Sequence, residues 1–274
     1  MVFLSTRVKA MPSLVATDLD GTLLHTDGTV TAYTREVLAE LDARGVPVVF
    51  VTGRPIRWMD ALWEHVGGHG LAICSNGGIV YDVARHEVRT ALTIEPEVCL
   101  EVGRVLRRRI PGTTFALEKT GGFALSEDFR ALGVVSPDIP RGSLSEIVDT
   151  TVVKLLAKHD EMAPDAFWHL VEEYVGSLVT TTWSSSGALV EMSAKGVTKA
   201  STLQRLATEL GVEATDVVAF GDMPNDIDML LWAGTSYAME NAHPSVRRVA
   251  THVAPPNDVD GVAVTLAGLF GLER

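Results

Sequence analysis

Asp18 and Asp20 stand two residues apart at the end of an apolar, β-branched run and are followed by Gly21, Thr22 and Leu23. At the end of a strand this spacing turns both carboxylates into one cleft, one able to attack and the other to move protons. Gly21 lets the chain turn there without a Cβ clash. Three other segments have a similar character. Thr52, Gly53 and Arg54 follow a second apolar run and precede Pro55, read as the first helical position, so a hydroxyl and free backbone amides would suit phosphate oxygens. Lys199 lies just inside an expected helix amino terminus, where a cation opposes the helix dipole unless an anion is near; Lys195, four residues earlier, competes for that role. In Gly221-Asp222-Met223-Pro224-Asn225-Asp226 the carboxylates again sit at a strand-to-helix junction. Asp222 and Asp226 gathered beside Asp18 and Asp20 would raise one another's pKa unless a divalent cation neutralised them, and oxygen-only ligands select magnesium.

Each segment alone has a plainer explanation. Asp-x-Asp-Gly after a strand can be a solvated loop, or part of a calcium loop, although the later acidic positions and terminal Glu of such a loop are missing. Thr52 can be a helix cap, Lys199 or Lys195 a surface lysine, and Asp222 with Asp226 an acidic helix start. Their concurrence at strand ends argues for one shared site.

The elements that would position these residues read as βαβαβ in the first part of the chain. Strands are expected over 14–19, 46–51 and 71–74, with helices over 31–44 and 55–66; Val37, Leu38 and Leu41 share one helical face before Gly45 stops it. The last part repeats this grammar, with a helix over 199–210 capped by Thr198 and closed by Gly211, strands over 217–220 and 236–239, and helices over 225–232, 244–250 and 261–270. The fold class is therefore α/β, a doubly wound parallel sheet whose ligands sit at the carboxyl ends of the strands. Between 84 and 190 the pattern changes to short alternating strands over 113–117, 122–125, 152–157 and 178–183 and helices over 96–109 and 164–175, an inserted α+β domain. The expected division is a core of 1–83 and 191–274 and a cap of 84–190, joined by hinges near 82–86 and 188–192 that would let the cap open and close.

Composition narrows the partners. A net charge of −12 disfavours nucleic acid, which needs a basic face, and would repel an anionic metabolite unless a bound cation reversed the field locally. Cys74 and Cys99 form no CxxC pair and read as reduced thiols; the eight histidines show no zinc spacing. Arg107-Arg108-Arg109 reads as a solvated helix end and Gly67-Gly68-His69-Gly70 as a loop without the lysine of a P-loop. No apolar run approaches the length of a membrane helix and residues 1–13 carry no export signal, so a cytoplasmic monomer or homodimer is expected, with no membrane partner.

Taken together, Asp18-Leu19-Asp20-Gly21-Thr22, Val51-Thr52-Gly53-Arg54, Ser75-Asn76-Gly77-Gly78, Lys199 and Gly221-Asp222-x-x-Asn225-Asp226 resemble the haloacid dehalogenase-like phosphatases, specifically the Cof-type branch with its large α+β cap. Ala238-Met239-x-Asn241-Ala242-His243 and Asp258-x-Asp260-Gly261-Val262 extend the resemblance over nearly the whole chain. It implies that Asp18 is the nucleophile and Asp20 the acid and base, and that Thr52, Gly53, Lys199 and Asn225 hold the phosphoryl group. Magnesium would be bound by Asp18, the backbone carbonyl of Asp20 and Asp222, with Asp226 ordering a metal-bound water or Lys199. The one departure is Ala200, where the family often has glycine after its lysine. The implied substrate is a small phosphomonoester, a sugar phosphate or phosphorylated cofactor; Trp183, Arg130 and Glu118 are candidate cap contacts. A phosphomutase is one alternative, separated by release of inorganic phosphate; a phospho-acceptor signalling domain, which would need neither Asp20 as an acid nor a cap of about a hundred residues, and a silent metabolite-binding protein, which usually lacks a reactive group, are the others.

Overall fold

The computed structural model describes residues 11–65, 70–130, 136–183 and 187–272. The Gly67-Gly68-His69 part of the expected loop and the first ten residues of the amino-terminal segment lie outside the described residues.

Two sheets organise the chain. The larger has eight strands in the order His252–Ala254, Thr235–Met239, Val217–Gly221, Leu14–Thr17, Val48–Val51, Leu71–Cys74, Ile79–Asp82 and Glu87–Ala91. The first six run parallel, and Ile79–Asp82 and Glu87–Ala91 are added to them by antiparallel pairing. The central strands are buried along almost their whole length, as parallel strands covered on both faces must be. Phe50 and Phe220 are fully enclosed, each contributing about 1.5–3 kcal/mol from burial. The helices Ala32–Ala43 and Gly261–Phe270 pack on each other, as do Lys199–Glu209 and Ile227–Trp232. Thr31 caps the first of these helices by accepting the Thr34 N–H at 3.0 Å.

The second sheet has six strands, Val179–Thr182, Leu189–Ala194, Val152–Lys158, Thr114–Lys119, Gly122–Ser126 and Arg141–Gly142. Its helices Pro96–Arg109 and Pro164–Val175 pack together over a separate apolar core that includes Phe115 and Phe167. The architecture is thus an α/β core carrying an inserted α+β unit. Among the described residues no helix is long and apolar enough to cross a membrane.

Several elements depart from the sequence reading. The helix expected over 55–66 is two 3₁₀ segments, Ile56–Trp58 and Asp60–His65, with Pro55 outside the first turn. Ile56, Met59 and Leu62 recur every three residues and pack inward, a period that suits three residues per turn rather than 3.6. The segment 188–192, expected as a hinge, lies largely in the strand Leu189–Ala194, paired on both sides. Glu87–Ala91 continues the large sheet although all five of its side chains are exposed, so it carries no apolar signal. The passages between sheets are therefore 92–95 and 195–198.

Candidate active site

Register brings the distant segments to one rim. Thr17 pairs with Phe220 on one side and with Phe50 on the other, so the chain emerges at Asp18, Thr52 and Asp222 from three adjacent parallel strands. This is the point where successive connections leave in opposite directions, the usual ligand site of an open α/β sheet. After Thr17 the backbone makes one wide turn, Leu24 N–H donating to the Leu19 carbonyl at 2.9 Å. Gly21 sits in that turn at φ +73°, where a Cβ would also overlap the Asp222 carboxylate.

Asp18, Asp222 and Asp226 are buried, and oxygens of the three carboxylates lie within 4.8 Å of one another. Lys199, equally buried, bridges two of them: Nζ is 2.6 Å from Asp18 Oδ1 and 2.7 Å from Asp226 Oδ1. Thr198 caps the Lys199 helix by accepting the Ser201 N–H at 3.0 Å, which aims the first helical turn into the cluster. The other oxygen of Asp226 accepts the backbone N–H groups of Asp222 and Met223, both at 3.1 Å. Asp222 accepts the Thr22 hydroxyl at 2.9 Å. Lys195 donates to the Gly176 carbonyl instead and is absent from the cluster.

Charge in this enclosed place is unbalanced. Burial raises the Asp18 pKa well above the carboxylate range; Lys199 opposes the rise and Asp226 and Asp222 add to it. Asp222 is pushed up to about 7, first by burial and then by Asp226. Burial would lower Lys199, but Asp18 and Asp226 outweigh it and hold the ammonium charged. Three carboxylates against one cation, with oxygen donors alone, fit a hard divalent cation such as magnesium. Asp18 and Asp222 are the ligands to hand, because Asp226 already spends both oxygens on Lys199 and the backbone.

Asp20 does not join this cluster through its side chain. Its carboxylate is more than half exposed and held by Arg54, with Nε at 2.7 Å and Nη2 at 2.5 Å. It nevertheless lines, with Asp18, Gly53 and Asn225, a cavity of about 320 Å³ closed by the second sheet. Thr52 is buried, and its hydroxyl oxygen accepts the Arg54 N–H at 3.0 Å, leaving its proton to donate elsewhere. Asn225 donates to Asn76 Oδ1 at 3.1 Å, and its own buried Oδ1 has no protein partner.

Arg54, Glu118, Lys154 and Glu191 also line this cavity. Glu118, Lys154 and Glu191 project from the second sheet; Lys154 and Glu191 were missed although a charge inside an apolar strand needs a buried partner. Arg54 was quoted in its motif without a role. Of the other candidate cap contacts, Trp183 lines a separate cavity of about 410 Å³ beside His243, while Arg130 is exposed and offers its carbonyl to Lys158.

The family model described as haloacid dehalogenase-like hydrolase matches residues 15–266. A 5-amino-6-(5-phospho-D-ribitylamino)uracil phosphatase of Bacillus subtilis is 27% identical, covering 97% of this chain and 100% of its own. A phosphoglycolate phosphatase of Methanopyrus kandleri is 29% identical over 95% of this chain and 98% of its own. Among solved structures, a Streptococcus mutans protein superposes with a TM-score of 0.82 at 23% identity, covering 95% of this chain and 99% of that one, which shows a common fold.

Proposed function

Because the chain belongs to the haloacid dehalogenase-like hydrolases, we propose that it is a magnesium-dependent phosphatase that hydrolyses a small phosphomonoester through an aspartyl-phosphate on Asp18. The relatives named as phosphatases of small phosphorylated metabolites support the substrate class. The observation that carries the reading is the contact of buried Lys199 with Asp18, beside two further carboxylates at the same sheet edge.

In this reading an Asp18 carboxylate oxygen attacks phosphorus and the bond to the ester oxygen breaks. Asp20 gives a proton to the departing oxygen, for which its carboxyl turns from Arg54 into the cavity they share. Asp20 then takes a proton from water, which attacks the phosphorus, freeing phosphate and restoring Asp18. Lys199 and the Thr52 hydroxyl hold the equatorial oxygens on which charge gathers, with Gly53 and Asn225 lining the same wall. Asp18, the Asp20 carbonyl and Asp222 would hold magnesium, Asp226 fixing Lys199 behind them; the ion supplies neutralising charge for the incoming phosphate.

The test is phosphate release from a panel of phosphorylated metabolites, with magnesium and with chelator, for the native chain and Asp18→Asn. Activity is expected only with magnesium, and the substitution should lower kcat by a factor on the order of 10³–10⁶. Mass spectrometry of the quenched native enzyme should find one added phosphoryl group on the peptide containing Asp18. Turnover that survives both chelation and the substitution defeats the proposal.

A further inference from the structure

We infer, resting on the reading of Asp18, the Asp20 carbonyl and Asp222 as the magnesium site, that Asn241 is a positioning residue: it sets the affinity of that site by tying the turn after Asp18 to the segment that also holds Asp222. Asn241 follows the strand Thr235–Met239, which runs parallel to Val217–Gly221 and leaves the sheet at the same rim. Its Nδ2 donates to the Gly21 carbonyl at 2.7 Å, across a separation of 220 residues, and its Oδ1 accepts the Asn257 N–H at 3.1 Å. Two residues further on, the His243 N–H donates to the Asp222 carbonyl at 2.8 Å. The stretch 241–243 therefore bonds the backbone of both segments that carry the ligands. Asn257, itself buried, donates its Nδ2 to the Leu24 carbonyl at 2.9 Å, so the turn is held near its start and at its end.

The turn has need of an anchor. Asp20, at φ −71° and ψ 120°, and Gly21, at φ 73° and ψ 1°, have the dihedrals of the two central residues of a type II turn. The carbonyl assigned to the metal belongs to the peptide between them, and the Gly21 carbonyl to the next one. Glycine lets the chain enter this conformation and lets it leave as readily. A bond on the Gly21 carbonyl removes part of that freedom. The amide of Asn241 suits the task because the Asn257 N–H can only donate and the Gly21 carbonyl can only accept, so the bridging group must offer one acceptor and one donor and can be seated in one orientation. Asn241 is exposed, so burial does not account for its place; both ends of its amide are nevertheless committed to backbone.

Calorimetric titration of magnesium into the metal-free full chain reads the affinity without turnover. Asn241→Ala is expected to weaken magnesium binding about tenfold or more, and to raise by the same factor the magnesium needed for half-maximal hydrolysis of p-nitrophenyl phosphate. Once magnesium is saturating, kcat should return to within about a factor of three of the native value, a recovery that general loss of structure would not give. Asn241→Asp keeps the acceptor for Asn257, loses the donor to Gly21 and adds a negative charge that by attraction alone would tighten a cation; it too is expected to weaken binding. Thr26→Val removes a 2.7 Å bond to Asp258 that ties the same two stretches of chain beyond Leu24, and should leave the affinity unchanged. Native affinity in Asn241→Ala, tighter binding in Asn241→Asp, or an equal weakening in Thr26→Val overturns the inference and leaves the phosphatase reading standing. A native chain that neither binds magnesium nor releases phosphate from p-nitrophenyl phosphate overturns both.

Discussion

Asp226 holds Lys199 at 2.7 Å with one oxygen and, with the other, closes on the backbone of Asp222 and Met223. One fully buried carboxylate therefore fixes both the cation and the loop that presents Asp222. Asp226→Asn puts an amide where an acceptor is needed at both ends, so one end loses its partner whichever way the amide turns. Removing one partner of a buried pair costs about 3–5 kcal/mol. Urea unfolding should register that loss, and kcat should fall with it; a variant as stable as the native chain would remove Asp226 from this role.

Lys199 and Lys195 separate cleanly. Lys199→Met leaves Asp18 and Asp226 buried without their cation, and should abolish turnover and lower stability by a similar few kcal/mol. Lys195 bonds the Gly176 carbonyl and no carboxylate of the cluster among the described residues, so Lys195→Met should keep kcat/KM within about a factor of three. Steady-state kinetics of the two variants decides between them, and equal losses would break the assignment.

Acid titration of the cluster sets a pH dependence for metal binding. With its pKa raised from 3.8 to about 7, Asp222 keeps its proton in the metal-free fold at mildly acid pH. The raised value stabilises the metal-free protein fully below 3.8, and this contribution is lost as pH rises through about 7. A divalent cation needs the deprotonated form, so its affinity should climb with pH and level off above 7. The Tm gained on adding magnesium to chelator-treated protein should be larger at pH 8 than at pH 5.5. A gain that does not change with pH would show that Asp222 is not a ligand.

The rim was legible because each of its residues breaks a local rule. Asp18 ends an apolar strand, Lys199 opposes its own helix dipole, and Asp222 and Asp226 crowd one junction. Such conflicts point outward to a partner, and Lys199 with Asp18 and Asp226 supplies it. Lys154 and Glu191 break a rule as well, being charges flanked by apolar residues in their strands, but their partners are each other and residues far away in the chain: Gly53 and Asn76. Nothing local marks such a pairing. Glu191 was further hidden because its strand was read as a hinge. The 3₁₀ segments after Pro55 are written in the three-residue spacing of Ile56, Met59 and Leu62, which a 3.6-residue period matches nearly as well over so short a stretch.

Thr22 is the remaining support of the metal site. It is almost wholly buried, lies in the turn after Asp18 and donates to Asp222 Oδ1 at 2.9 Å across a separation of 200 residues. Thr22→Val keeps the shape and removes only the hydroxyl, leaving one oxygen of a buried carboxylate short of a donor, a loss of about 1–3 kcal/mol. The same bond orients the carboxylate proposed to bind magnesium, and loss of such a supporting partner typically weakens metal affinity about 10–100-fold. Thr22→Ser keeps the donor and gives up one methyl group, so it should retain most of the affinity while losing roughly 1 kcal/mol of packing. Magnesium titrations of activity for the three proteins separate the two contributions. Weakened binding in the valine variant with near-native binding in the serine variant assigns the effect to the hydroxyl; equal weakening in both assigns it to packing and removes Thr22 from the support of the metal.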